Sequence, residues 1–156
     1  MTAVAVDGLT GRSLVTGELF ERLTHRVVRD EGYEPPLAVR VVDQALAFLG
    51  ACAAGDGRPM SPSRLVDPGW HAFVLHTRDY REFCDRVAGR FIDHVPTDDA
   101  RAGVGEPAVA LHRTVDAMRA AGYVVDHDLW FASGRAKCSQ CHNGCADDPP
   151  PPPAVR

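Results

Sequence analysis

The apolar positions of this chain repeat at helical spacing over most of its length. In "TGELFERLTHRVVRDEG", Leu19, Phe20, Leu23 and Val27 fall at i, i+1, i+4 and i+8, one face of a helix that Gly32 can end. "YEPP" breaks the pattern. Pro36 then suits the first turn of a second helix, in which Ala38, Val41, Val42, Ala45, Phe48, Leu49 and Cys52 form a core-facing stripe. The Gly, Pro and Ser content of "AAGDGRPMSPS" marks a loop leading to Asp67 and Pro68, which read as an N-cap and a proline at N1. A third helix opens there. On a wheel of about 100° per residue, Trp70, Phe73, Val74, Thr77, Tyr80, Cys84 and Val87 make its packed face. Asp67, His71, Leu75 and Arg78 gather at one edge, and His76 falls on the other flank beside Tyr80 and Phe83. A fourth helix covers about 107–121, with Ala108, Leu111, His112, Val115 and Met118 inward and Gly122 as its stop.

The fold class expected from these stripes is all-α, a small bundle of about four helices with an irregular Cys- and Pro-rich C-terminal tail. Residues 1–132 form the helical domain, with "YVVDHDLWF" as a short apolar anchor near its end. Residues 133–156 form a flexible tail, because they lack the apolar residues needed to fold alone and end in "DDPPPPPAVR", an extended polyproline segment.

Composition narrows the function classes more than it selects one. The chain has 156 residues, 45% hydrophobic and 24% charged, which suits one domain with a real core. A formal charge of -4 leaves no broad basic footprint, so nucleic acid is not an expected partner. The N-terminus shows no basic region followed by an apolar core, and the apolar run at 45–54 is short for a bilayer, so the expected location is cytoplasmic with no membrane partner. Phosphate-binding glycine loops, Gly-x-Ser-x-Gly elbows and His-Glu-x-x-His zinc helices are absent from the sequence.

Two constellations carry candidate chemistry. Asp67 and His71, at i and i+4, share a helical face and can orient one another or chelate a metal, provided the Asp67 carboxylate is not consumed as the cap. His94, in "FIDHVP", is the natural third member, since a residue just before a proline turn can fold back on the preceding helix. Trp70, His76 and Tyr80 flank that candidate site. The second constellation is Cys138, Cys141 and Cys145 in "CSQCHNGC", where thiols at x2 and x3 spacing can converge on a soft ion with His142 as a fourth ligand. Zinc is the expected ion, with iron or copper as alternatives. "CSQCH" also spells a c-type haem attachment pattern, which a chain without an export signal disfavours. Cys52 and Cys84, inside helical patterns, read as small buried hydrophobes. His112 reads as a partly buried, hydrogen-bonded core residue.

The stretch "MSPSRLVDPGWHAFVLHTRDYREFCDRVAGRFIDHVP" resembles the glycine-rich domain-containing protein-like family. That family carries Pro-Ser, then Val-Asp-x-x-Trp-His, then Thr-x-x-Tyr-x-x-Phe-Cys, then a Gly-Arg-(Phe/Tyr)-Ile-x-His-x-Pro turn. The match is specific over 61–96, and the wider likeness runs over about 14–145. The resemblance implies that Asp67, Trp70, His71, Thr77, Tyr80, Cys84 and His94 belong to one pattern, and it brings no established activity with it. This tail has fewer cysteines and glycines than the family pattern.

Together these features suggest a small metal-binding accessory or interaction protein, with a tail site and a His/Asp site in the body, acting on an unnamed protein or peptide partner. A metal-dependent enzyme using His71, His94 and Asp67 is the alternative, and it requires a concave pocket beside Trp70, Tyr80 and "FIDHVP". A third reading makes the body a recognition domain for its own Cys-rich tail, modified by another enzyme.

Overall fold

The computed structural model describes residues 7–95 and 105–131. Its helices are α1 (Gly17–Glu31), α2 (Pro35–Ala54), α3 (Asp67–Leu75), α4 (Thr77–Ala88), α5 (Pro107–Ala120) and α6 (His127–Trp130), preceded by a 3-10 turn at Gly11–Leu14. Among the described residues there is no β-strand, only one parallel bridge between Leu9 and Tyr123. The fold is all-α.

Helix α2 is the axis of the bundle. The 3-10 turn, α1, α3, α4 and α5 all pack on it, and residues 44–51 are buried without interruption. That enclosure explains why its apolar stripe widens into a band. By length and composition alone α2 would cross a membrane, but in this fold the other helices cover its apolar band. The Thr16 side chain caps α1 by accepting from the Leu19 N–H at 3.2 Å. Gly69 lets α3 cross α2 closely, since a Cβ there would lie 2.8 Å from the Ala45 Cβ and 3.1 Å from the Val41 carbonyl oxygen.

A polar hub fastens the C-terminal part of the described chain to this axis. The buried Gln44 donates through Nε2 to the Val124 carbonyl at 3.0 Å. Its Oε1 accepts from the Asp126 N–H at 2.9 Å and from Trp130 Nε1 at 2.8 Å. Arg40 adds a bidentate pair to Asp126 at 2.7 and 2.9 Å. The short apolar anchor of the sequence is therefore α6, held by hydrogen bonds as well as by the burial of Leu129 and Trp130.

Three local expectations are corrected. The helix that the sequence pattern carries from Asp67 through Val87 is broken at His76 (φ −86°, ψ 64°), which separates α3 from α4. In a straight helix, residues seven apart stand about 10.5 Å apart along the axis. The break instead brings Phe73 within 5.1 Å of both Tyr80 and Phe83, ring centroid to centroid. Aromatic packing in the core thus outweighs the local periodicity, and Thr77, expected on the packed face, is exposed. Next, Asp67 is not the cap of α3. The N-cap position falls on Val66, and Ser63 closes the turn before it, its hydroxyl accepting from the Val66 N–H at 3.2 Å and donating to the Leu129 carbonyl at 2.7 Å. Last, His112 and Ala108 on α5 are exposed, and His112 stacks on Phe131 at 4.7 Å instead of entering the core.

Replacing Gln44 by Leu leaves the Trp130 and Asp126 N–H groups and the Val124 carbonyl without their partner. We expect a loss of about 3 kcal/mol of unfolding free energy, measured by urea denaturation with helical circular dichroism retained. A change under about 0.5 kcal/mol would show that water replaces the hub freely.

Candidate functional site

The break at His76 positions everything around the site. It swings α4 back so that the Tyr80 hydroxyl meets Trp70 Nε1, which donates to it at 3.0 Å, although the two residues are ten apart in sequence. Tyr80 in turn donates to the Ile92 carbonyl. Gly89 ends α4 in the left-handed region (φ 66°), which favours glycine, and sends the chain back over α3. On the way, Arg90 Nη2 donates to the Cys52 carbonyl at 3.1 Å. That bond serves a carbonyl at the C-terminal end of α2, a helix with no basic residue in its own last turn. Phe91 covers Tyr80 at 5.4 Å, and Ile92 is buried.

This return segment lays His94 over the start of α3. The Nε2 of His94 donates to Asp67 Oδ1 at 3.1 Å, and its ring packs edge-on against Trp70 at 4.4 Å between centroids. Asp67 stands one place past the N-cap position Val66, so its carboxylate does not serve as the cap and accepts that bond. The hydrogen bond from Asp67 raises the pKa of His94, burial of the ring opposes the rise, and the charge of Asp67 and a backbone hydrogen bond add to it. His71 is exposed, its ring 5.8 Å from that of His94. Two of the three expected members, Asp67 and His94, therefore form a direct pair, and His71 stands beside it. Among the described residues no group of three or more His, Cys, Asp or Glu side chains is placed to hold a metal ion. Cys138, Cys141, His142 and Cys145 lie outside the described residues.

His76 takes no part in this pair. It sits at the α3–α4 break, its Nε2 buried without a hydrogen-bond partner. Burial lowers its pKa first, and the positive charges of Arg26, Arg22 and Arg29 add to that, against Asp79. Cys84 is buried, as the sequence suggests, whereas Cys52 is half-buried, its thiol pushed up to about 12 mainly by burial.

Beside the Asp67–His94 pair opens a cleft of about 980 Å³. Its walls come from the C-terminal end of α2, the loop at 55–64, the start of α3, the return segment and α5. Phe48, Trp70, Met60 and Ala117 supply apolar surface, and Arg58, Arg64, Arg90 and Arg113 supply charge. A bond from the Ser61 N–H to Thr114 Oγ1 at 3.1 Å pins the loop to α5. The concave pocket that an active site would need beside Trp70 and "FIDHVP" is present, although Tyr80 itself lies behind Trp70 and does not line it. The arginines escaped the sequence reading, because three of them sit in loops where no periodicity marks an inward side. The only signal was the recurrence of arginine in "GDGRPMSPSR".

A family model described as UCP032817-like matches residues 16–114. The chain belongs to the UCP032817-like family. That match takes in α1 to α4, the return segment and α5 as far as Thr114. Every residue of the sequence pattern from Asp67 to His94 lies within it, while α6 lies beyond. No curated protein and no solved structure matches the chain. Within the UCP032817-like region, Asp67, Trp70, Tyr80 and His94 form one connected unit. Trp70, Tyr80 and the 89–94 turn build the scaffold, and Asp67 and His94 form the polar pair that it presents.

The two perturbed histidines give opposite pH dependences. The raised value of His94 means that its pair contributes stability fully below about pH 6.5, the ordinary histidine value, and loses it as pH rises through the folded-state pKa. The lowered value of His76 does the reverse: stability present above about pH 6.5 is lost as pH falls below it. NMR titration of the ring signals is expected to place His94 above His76. Asp67→Asn should bring His94 down while leaving His76 unmoved. An unchanged His94 in that variant would dissolve the pair.

Proposed function

We propose that the protein is a small ligand-binding module whose working surface is the cleft beside Asp67 and His94. The observation that carries this reading is the convergence of Asp67, Trp70 and His94 on one wall of the 980 Å³ cleft. Packing alone asks for neither a carboxylate nor an imidazole there. In the conformation described, the Asp67 bond favours the protonated ring of His94, a cation and hydrogen-bond donor, whereas a metal ligand must be a neutral imidazole. Recognition of an organic ligand therefore suits this part of the body better than metal coordination does. The same residues support the finer kinship with the glycine-rich domain-containing protein-like family. An experimental structure of one of its members lacking the Trp–Tyr–carbonyl relay would sink that kinship.

The test is a fragment screen read by amide and indole shifts on the labelled protein. Binders are expected to move Trp70, His94, Met60 and Ala117 together, and to lose at least tenfold in affinity in Asp67→Asn or His94→Gln. Shifts confined to surfaces away from these residues would overturn the reading.

A further inference from the structure

The connection between α3 and α4 is a single residue. Helix α3 ends at Leu75 and α4 begins at Thr77, so His76 alone carries the bend, with φ −86° and ψ 64°. Those angles are close to an inverse γ-turn. Turning ψ to the helical value of about −42° would join the two helices into one, and the apolar positions from Trp70 to Val87 are spaced for that single helix. The segment therefore has two arrangements that suit its sequence, bent and straight. Packing selects the bent one, through Phe73 on Tyr80 and Phe83 and through the Tyr80 hydroxyl set between Trp70 and Ile92. A hinge is an element of this kind, in which a few terminal dihedrals absorb the change.

The side chain at this hinge sits where a positive charge is unwelcome. His76 Nε2 is buried without a hydrogen-bond partner, and so is Arg26 Nε. Helix α1 brings Arg22, Arg26 and Arg29 to the same place, at i, i+4 and i+7, in one row along its surface. Two carboxylates answer those three guanidinium groups. Asp30 pairs with Arg26 at 3.1 Å and Arg29 at 2.9 Å, and Asp79 on α4 pairs with Arg22 at 3.2 Å. Asp79 is the carboxylate whose charge favours a protonated His76, and Arg22 already engages it. An imidazolium here adds a fourth positive charge and buries an N–H that has no acceptor.

We infer that the α3–α4 connection is an acid-opened hinge: neutral His76 keeps the bend against the arginine row of α1, and its protonation drives the first turn of α4 away from α1 and parts the Tyr80 hydroxyl from Trp70 and Ile92. Burial and the arginines lower the pKa of His76 in the bent state, so the bend is favoured above about pH 6.5 and loses that support as pH falls below it. The contribution of the Asp67–His94 pair is already complete at that pH and does not grow further in acid. The two arginines on Asp30 hold its pKa low, so those ion pairs persist while His76 takes up its proton.

Hydrogen exchange of the full chain, read by NMR at about pH 6.5 and about pH 5 and corrected for the intrinsic rate at each, tests the hinge. The Tyr80 N–H, bonded to the His76 carbonyl at 2.8 Å, and the Trp70 indole N–H are expected to open at least threefold more often at the lower pH, while the amides of α2 keep their protection. His76→Gln, which is neutral at both pH values, should remove the difference. Arg26→Gln should reduce it, because one of the charges that oppose protonation is gone. Equal protection at the two pH values would overturn the inference, as would a His76→Gln protein that opens in acid as the native one does. Loss of protection in α2 to the same extent as at Tyr80 would also overturn it, since the whole fold and not the hinge would then be opening. If His76→Gln does not fold, Arg26→Gln decides, and an acid opening as large as the native one in that variant would sink the hinge.

Discussion

The site depends on one hydrogen-bonded relay, Trp70 Nε1 to the Tyr80 hydroxyl to the Ile92 carbonyl. A buried indole N–H and a buried phenol each need a partner, and the carbonyl of the buried Ile92, in the return segment, needs a donor. The relay meets all three needs with two side chains. Its geometry is available only because the chain breaks at His76 and α4 folds back along α3. The relay in turn fixes the turn after Gly89, and that turn places His94 on Asp67. Helix α2 supports the whole from beneath, through the close crossing at Gly69 and the bond from Arg90 to the Cys52 carbonyl.

The polar pair and the cleft then stand in a simple physical relation. Asp67 and His94 are hydrogen-bonded to one another on the wall, and Asp56 pairs with Arg58 on the rim. The cleft lining around them also includes Met60, Ala117, Ala120 and Ala121 and several arginine side chains. His76, half-buried on the far side with its pKa lowered mainly by burial, stands between the α3–α4 break and the arginines of α1 and does not line the cleft.

Much of this was legible in sequence, and the failures have physical causes. The stripes of α1 and α2 could be read because a helix repeats its inward face every three or four residues, whatever the distant contacts. The break at His76 could not, since Phe73, Tyr80 and Cys84 fit a continuous wheel and only their tertiary packing decides against it. Asp67 followed by Pro68 satisfies the local rule for a helix start, yet the N-cap falls on Val66, one place earlier, and the carboxylate pairs with His94. His94 does meet Asp67, since a histidine just before a proline turn can fold back onto the preceding helix. His71 was joined to them by spacing alone and lies at the edge. His112 misled because its neighbours Leu111 and Val115 do face inward. The tail thiols carry their zinc reading on spacing alone.

The central claim is that the Tyr80 hydroxyl holds the return segment in place and so creates the Asp67–His94 pair. The most direct measurement is the pKa of His94 by NMR in Tyr80→Phe, a variant that keeps the aromatic packing and removes only the hydroxyl. If the relay positions His94, its pKa falls toward the ordinary histidine value while the fold persists. A His94 that stays as elevated as in the native protein would contradict the account.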